Sequence, residues 1–148
     1  MTIYEAKAEA GLEGALIRLS ADWEAEDSCR GYRANSPEDF TGRRFFIAEE
    51  EGQIVGYLFG LVETAENDST VMKKGTPYFE IEELYVIPAR RSRGVGRRLY
   101  VFAEEKLRAE GLPYVLLSTA TKDARRILHF YLDELGLSFW SARLFKKL

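Results

Sequence analysis

Residues 86–99 read Val-Ile-Pro-Ala-Arg-Arg-Ser-Arg-Gly-Val-Gly-Arg-Arg-Leu, and the interpretation of the whole chain starts from them. An apolar, strand-like run ends just before Pro88, a basic loop follows, and two glycines open a helical pattern. The first N–H groups of a helix lack internal partners and, with the helix dipole, favour an anion. Glycine lets a bulky anion approach the backbone, and arginine forks share charge with phosphate oxygens. The stretch therefore predicts a site for a phosphate-bearing ligand.

Length and composition place this stretch in one ordinary globular domain, residues 1–148. The formal net charge of −3 argues against a general nucleic-acid binder, so the arginine cluster is a local feature of an acidic protein. Cys29 is the single cysteine, which excludes a disulfide framework and a cysteine-rich zinc site. The chain has no long apolar run, and its first residues lack the layout of a secretory signal. We expect a cytoplasmic protein with no metal and with neither a membrane nor a nucleic acid as partner.

Apolar periodicity and turn residues predict an α/β chain with a mixed sheet and helices on both faces. We expect strands at 3–6, 45–49, 54–62, 78–86 and 114–119, one or two closing strands within 138–148, and helices at 8–30, 94–110 and 122–135. Ser36-Pro37-Glu38-Asp39 predicts a short capped helix. The strand at 114–119 is almost continuously apolar, which is typical of a central strand covered on both faces. With the strand at 78–86 and the helix between them, it predicts a parallel crossover.

Two common glycine-loop families do not fit the phosphate site. A Walker loop ends in Gly-Lys-Ser/Thr, whereas Gly96 is followed by two arginines. A dinucleotide fingerprint needs glycine or alanine where Leu99 stands, and an acidic residue about twenty positions on. The segment 91–96 instead matches the Arg/Gln-x-x-Gly-x-Gly/Ala signature of the GNAT acetyltransferase superfamily. Because the flanks at 84–88 and 130–137 match as well, the chain resembles this superfamily clearly over residues 78–137 and loosely elsewhere.

The resemblance implies a GNAT acyl-CoA N-acyltransferase fold with about six to seven strands, and acetyl-CoA as co-substrate. The loop would hold the pyrophosphate of acetyl-CoA through its backbone amides, aided by arginine side chains. The strand before it would diverge from its parallel neighbour and pair with the pantetheine arm, and an amide there would stabilise the oxyanion. The cofactor-binding residues that follow from the resemblance are Leu84, Tyr85, Val86, Arg91, Ser92, Arg93, Gly94, Val95, Gly96, Arg97 and Arg98.

The reaction implied is direct acetyl transfer to a primary amine, with a glutamate as base and a tyrosine as acid. Members of the superfamily carry acidic residues on the strand at 78–86, and we rank Glu82 first, Glu83 second and Glu80 third. Strict alternation places Glu80 and Glu82 on one face and Glu83 on the other unless a bulge intervenes. Tyr131 is the predicted acid, although one extra residue separates it from the glycine of the motif. No competing nucleophile stands out, since the single histidine, His129, is expected to be a helix-surface or semi-buried residue.

The acceptor is expected where the first helices and the polar segment 63–77 meet the strand at 78–86. Both regions are rich in carboxylates, which favours a cationic amine such as a polyamine, an aminoglycoside or a protein amine. A plain hairpin excursion remains an alternative for 63–77. A catalytically weak acyl-CoA-binding sensor is the alternative function, and a nucleotide-phosphate-binding module is the third. The protein is expected to be a monomer or a homodimer.

Overall fold

A computed structural model describes residues 1–148 and contains five strands and three α-helices. The elements are β1 (Thr2–Ala6), α1 (Ala10–Glu26), a short 3₁₀ helix (Pro37–Phe40), β2 (Arg44–Glu50), β3 (Gln53–Thr64), β4 (Pro77–Val86), a 3₁₀ turn (Pro88–Arg90), α2 (Val95–Ala109), β5 (Val115–Leu117), α3 (Ala124–Leu128) and a π-helical turn (His129–Glu134). None of the helices combines the length and the apolar character needed to cross a bilayer.

The strands form one sheet in the order β1-β2-β3-β4-β5. The first three pairings are antiparallel, and β4 pairs with β5 in parallel, so the sheet is mixed as the sequence predicts. Helix α2 covers one face, where Leu99 is fully buried. Helix α1 covers the other face, where Leu16 is fully buried among aromatic side chains. The sheet is therefore covered by helices on both faces, and its two cores lie on opposite sides.

The predicted helix at 8–30 is shorter in the structure, because α1 ends at Glu26 and Asp27 adopts the left-handed conformation. The predicted short helix after Ser36 is present as a 3₁₀ helix with a capping box. The segment between β3 and β4 is closed by its own hydrogen bonds, among them Ala65 N–H to the Thr76 carbonyl at 2.9 Å. It therefore forms the hairpin excursion that the sequence left open as an alternative.

Two sequence predictions at the C-terminal end were wrong. The strand predicted at 114–119 is not central: it is the short edge strand β5, because pairing with β4 stops after Leu117 and nothing pairs with its other side. Residues 138–148 form no closing strands, so the sheet has five strands rather than six to seven. The apolar residues of that segment predicted strands, but a strand requires a neighbouring edge, and residues 138–148 make no backbone hydrogen bonds. Phe145 contacts the Arg30 guanidinium instead.

Candidate functional site

A cleft with a volume of about 710 Å³ lies where β4 and β5 separate. Register pairs join the two strands only from Phe79–Val115 to Ile81–Leu117. Beyond Ile81 the β5 side of β4 has no partner strand, which is the divergence that the resemblance implies. The cleft is lined by both strand ends, by the basic loop, and by α3 with its π-helical turn. Its lining includes these predicted site residues: Glu82, Glu83, Leu84, Tyr85, Val86, Arg91, Ser92, Gly94, Val95, Gly96, Arg97 and Tyr131.

The basic loop builds an anion cradle from its backbone at one end of the cleft. Ser92 has φ 58° and Gly94 has φ 76°, so the chain turns twice through the left-handed region before α2 begins. Such turns aim successive N–H groups into one concavity. The first hydrogen bond of the helix joins the Arg98 N–H to the Gly94 carbonyl at 3.0 Å, which leaves the preceding N–H groups for a ligand. A Cβ on Gly96 would lie 3.4 Å from the Phe130 ring, which is an ordinary van der Waals contact, so this ring packs next to the cradle.

The arginines of the loop fall into two groups. Arg91 binds Glu26 at the end of α1 and donates from Nε to the Val86 carbonyl at 2.8 Å. Arg90 is paired with Glu50. No ion pair involves Arg93, Arg97 or Arg98. Of these three arginines, Arg97 lines the cleft and the other two do not. Arg91 therefore braces the loop against α1, while Arg97 presents an unpaired guanidinium to the cleft.

A β-bulge on β4 places the carboxylates of this strand on faces of the sheet that simple alternation does not predict. Phe59 faces Glu83 and Gly60 faces Ile81, so Glu82 is the extra, unpaired residue. Only glycine fits at position 60, because an added Cβ would lie 1.9 Å from the Glu80 carbonyl oxygen. Before the bulge, Ile81 packs into the α2-side core; after it, Tyr85 packs into the α1-side core. The bulge thus reverses the alternation and brings Glu83 to the α1 face.

Glu83 is the most buried carboxylate of the site, with 9% of its surface exposed. Its oxygens accept hydrogen bonds from the Tyr57 hydroxyl at 2.8 Å, the Tyr32 hydroxyl at 3.2 Å and the Asn35 amide at 3.0 Å. Burial raises the pKa of Glu83 above its ordinary value, although these three donors act in the opposite direction. The raised pKa moves the carboxyl toward the range in which a general base works near neutral pH.

The other two glutamates have different surroundings. Both oxygens of Glu82 are held by Arg43, at 2.8 Å from Nε and 2.7 Å from Nη2. Burial raises the pKa of Glu80, and the nearby charges of Glu82 and Glu63 raise it further. A second, smaller pocket of about 180 Å³ adjoins this group of carboxylates. It is lined by Asn35, Asp39, Arg43, Phe59, Glu82 and Glu83. Glu82 and Glu83 therefore face both pockets.

Tyr131 reaches the cleft because the helix that carries it widens into a π-helical turn. The Leu135 N–H bonds the Phe130 carbonyl, five residues back, at 3.1 Å. A π turn accommodates one more residue than an α turn, which absorbs the extra residue that the sequence motif contains. Burial raises the pKa of Tyr131 to about 12, with further contributions from Cys29 and Tyr100. Tyr131 lines the cleft and Leu132 does not.

The structure also identifies residues that sequence reasoning missed. Tyr32 and Asn35 lie in the segment after α1, and Tyr57 lies on β3; all three meet Glu83. No local pattern signals them, since their partner is up to 51 positions away. The segment 63–77, by contrast, lines neither pocket. His129 is exposed on the helix, as expected, and its ring nitrogen lies 2.7 Å from Asp133.

Known proteins resemble the chain along most of its length. A family model described as acetyltransferase (GNAT) family matches residues 14–137. A mycothiol acetyltransferase of Frankia alni is 32% identical over 100 residues, which make up 68% of this chain and 29% of that protein. An IAA acetyltransferase of Azospirillum brasilense is 32% identical over 84 residues, 57% of this chain and 48% of that protein. The chain thus spans less than half the length of these two relatives.

Solved structures show the same architecture. An aminoglycoside acetyltransferase from an uncultured soil metagenomic sample, in complex with trehalose, has a TM-score of 0.70 at 19% identity, covering 99% of this chain and 95% of its own. An aminoglycoside N-acetyltransferase in complex with CoA has a TM-score of 0.66 at 17% identity, covering 99% of this chain and 98% of its own. At these identities the likeness establishes a shared fold.

Proposed function

The chain belongs to the acetyltransferase (GNAT) family, and we propose that it transfers an acetyl group from acetyl-CoA to a cationic primary amine. One observation carries the proposal: Glu83 lies between the cleft that contains the anion cradle and the smaller acidic pocket. A donor in the first and an acceptor in the second would meet at this carboxylate. The CoA-bound neighbour of the same fold supports a CoA-type ligand for the cleft.

The residues of the cleft fit an acyl-CoA ligand. The backbone N–H groups from Ser92 to Arg97 suit a pyrophosphate, and the edge of β4 at Leu84–Val86, which has no partner strand on the β5 side, suits the amide-bearing pantetheine arm. Bound acetyl-CoA supplies the acetyl group as an activated thioester. In the proposal the protein holds that thioester beside the bulge of β4, where backbone amides face the carbonyl oxygen.

Glu83 is the base in this mechanism, ahead of Glu82. Both oxygens of Glu82 already accept hydrogen bonds from Arg43, whereas Glu83 is buried with a raised pKa. Glu83 takes one proton from the acceptor ammonium and later releases it to water. Tyr131 donates a proton toward the departing sulfur and regains one from the amine nitrogen. The three ammonium protons thus end on the amide, on the thiol and in solvent.

The acceptor class follows from charge. Asp39, Glu82 and Glu83 line the smaller pocket with a single arginine, Arg43, which Glu82 neutralises. Glu80 and Glu63 add negative charge nearby. A protonated amine with a second positive group matches such a pocket better than a neutral or acidic acceptor. Aminoglycosides belong in the test panel because two proteins of the same fold are named for them.

The direct test is release of coenzyme A thiol from acetyl-CoA with a panel of polyamines, aminoglycosides and lysine peptides. We expect turnover with at least one cationic amine, and a loss of kcat of about 100-fold or more in Glu83→Gln. Glu105→Gln is the matched control, since Glu105 is exposed on α2 and makes no ion pair. Acetyl-CoA should also raise Tm, because a ligand at about 100 times its Kd stabilises the native state by about 2.7 kcal/mol. Stabilisation without turnover of any amine would instead favour a protein that only binds acyl-CoA.

A further inference from the structure

Three side chains from two distant parts of the chain converge on the Glu83 carboxylate, and they divide its two oxygens unequally. Oε2 accepts from Tyr57 at 2.8 Å, from Tyr32 at 3.2 Å and from Asn35 at 3.0 Å. Oε1 accepts only from Asn35, at 3.0 Å. A carboxylate oxygen has about two lone pairs. Oε2 is therefore saturated, while Oε1 keeps room for one more donor.

The donors are themselves held in place. Tyr57 is fully buried on β3, between the sheet and α1. The Asn35 backbone N–H donates to the Ser20 hydroxyl at 2.9 Å, and that hydroxyl donates to the Ile17 carbonyl at 2.8 Å. Ser20 is fully buried in α1. The Tyr32 ring lies 4.2 Å from the Trp23 ring, centroid to centroid. Side chains supported in this way hold their partner in one geometry.

We infer that Tyr57, Tyr32 and Asn35 are positioning residues for acetyl transfer, which fix Glu83 so that Oε1 receives the proton of the acceptor ammonium. The inference rests on the proposed function and adds to it the residues that orient the base. The step is balanced: the N–H bond of the ammonium breaks, an O–H bond forms on Oε1, and the nitrogen keeps the electron pair with which it attacks. None of the three positioning residues gains or loses a proton.

The charged and titratable groups around Glu83 are few. Tyr57 faces it from β3, and Tyr32 faces it from the segment after α1. Glu82 is its neighbour on β4 and is neutralised by Arg43. Asp39 of the 3₁₀ helix lines the same small pocket. Burial raises the pKa of both tyrosines far above the assay range, so they stay protonated donors throughout.

The test is the pH dependence of kcat/KM in Tyr57→Phe, with Tyr32→Phe as a second variant at a less buried position. Each substitution removes one hydrogen-bond donor from the ionised carboxylate. The acidic limb of the kcat/KM profile should therefore move to higher pH, by about one pH unit in Tyr57→Phe and by less in Tyr32→Phe, which removes the longer hydrogen bond. Tyr4→Phe is the matched control, because its hydroxyl also donates to a glutamate, Glu49, at 2.8 Å in the same sheet but outside the cleft. A ¹³C titration of the Glu83 carboxyl, assigned with Glu83→Gln, measures the same shift without turnover.

The results separate the inference from the proposed function. The positioning role is supported if the acidic limb of the kcat/KM profile and the Glu83 titration both move to higher pH in the two tyrosine variants. Both should stay fixed in Tyr4→Phe. If wild type turns over and either tyrosine variant lowers Tm while leaving the limb in place, the three residues are only structural and the inference is overturned. If wild type turns over no amine at all, the proposed function fails, whatever the titration shows.

Discussion

Two glutamates of this sheet, Glu83 and Glu5, occupy opposite electrostatic environments. Burial dominates at Glu83 and raises its pKa, although three neutral donors oppose that shift. At Glu5 the hydrogen bond from Arg44 dominates, is assisted by Lys106, and lowers the pKa despite partial burial. Residue type and position on a strand are similar in the two cases. The partners supplied by distant segments therefore decide whether ionisation of a glutamate favours the native state or opposes it.

This contrast predicts opposite pH dependences of stability for Glu83→Gln and Glu5→Gln. The raised pKa of Glu83 makes wild type lose stability relative to Glu83→Gln as pH rises from about 4.3 through the folded-state pKa. The lowered pKa of Glu5 makes wild type lose stability relative to Glu5→Gln as pH falls from about 4.3 through the folded-state pKa. Neither difference can change by more than about 1.4 kcal/mol per pH unit. Urea unfolding between pH 3 and pH 8 measures both, and slopes of the same sign would contradict the assignment.

At the level of single elements, Arg90 of the basic loop is paired with a carboxylate and Arg97 is not, so the proposed function predicts unequal effects of the two side chains on coenzyme A affinity. Arg97→Ala should raise the Kd by about five- to tenfold, because it removes an unpaired guanidinium from the cleft. Arg90→Ala should raise it less than about twofold, because Glu50 already neutralises that side chain. Titration calorimetry at low and high salt checks both values. Equal losses for the two variants would mean that only the net charge of the loop matters.

Local signals predicted most elements because each element carries its own pattern. The capping box at Ser36, the apolar face of α2 and the turn between β2 and β3 are contained in short windows of sequence. The extra residue before Gly136 is also visible in the sequence motif, and the π-helical turn is its structural consequence. The prediction of strands at 138–148 was wrong for the opposite reason. Apolar side chains can mark a strand, but only a neighbouring edge can form one, and that edge is not encoded locally.

The site was less predictable than the fold because its essential contacts are long-range. The sequence identified Glu82, Glu83 and Tyr131 as candidate catalytic residues, and the structure places all three at one cleft. The sequence ranks Glu82 above Glu83, whereas the proposed mechanism takes Glu83 first. That change rests on the bulge opposite Gly60 and on the pairing of Glu82 with Arg43, neither of which can be deduced from alternation. Tyr57 and Asn35 carry no motif at all. A group of side chains of this kind depends on which segments the topology brings together.

For the molecule as a whole, one sheet separates two cores, and this arrangement predicts how core mutations combine. Leu16 and Leu99 are both fully buried, in clusters on opposite faces of the sheet that share no buried residue. Each Leu→Ala change should lower the free energy of unfolding by about 2–5 kcal/mol. Because the two clusters share no buried residue and only the partly buried Ile87 packs against both, the double variant should lose the sum of the two values within about 0.5 kcal/mol.

Urea unfolding followed by fluorescence and by far-UV circular dichroism measures these losses. Val62→Ala is the control, since Val62 is 47% exposed and its truncation should cost less than about 0.5 kcal/mol. Coincident single transitions in all variants are expected, because strands β2 and β3 contribute residues to both cores and neither core can unfold without the shared sheet. A double variant that loses clearly more than the sum would show that the sheet transmits strain between its faces. Two separate transitions would contradict this expectation, because they would show that the two faces unfold independently of the strands they share.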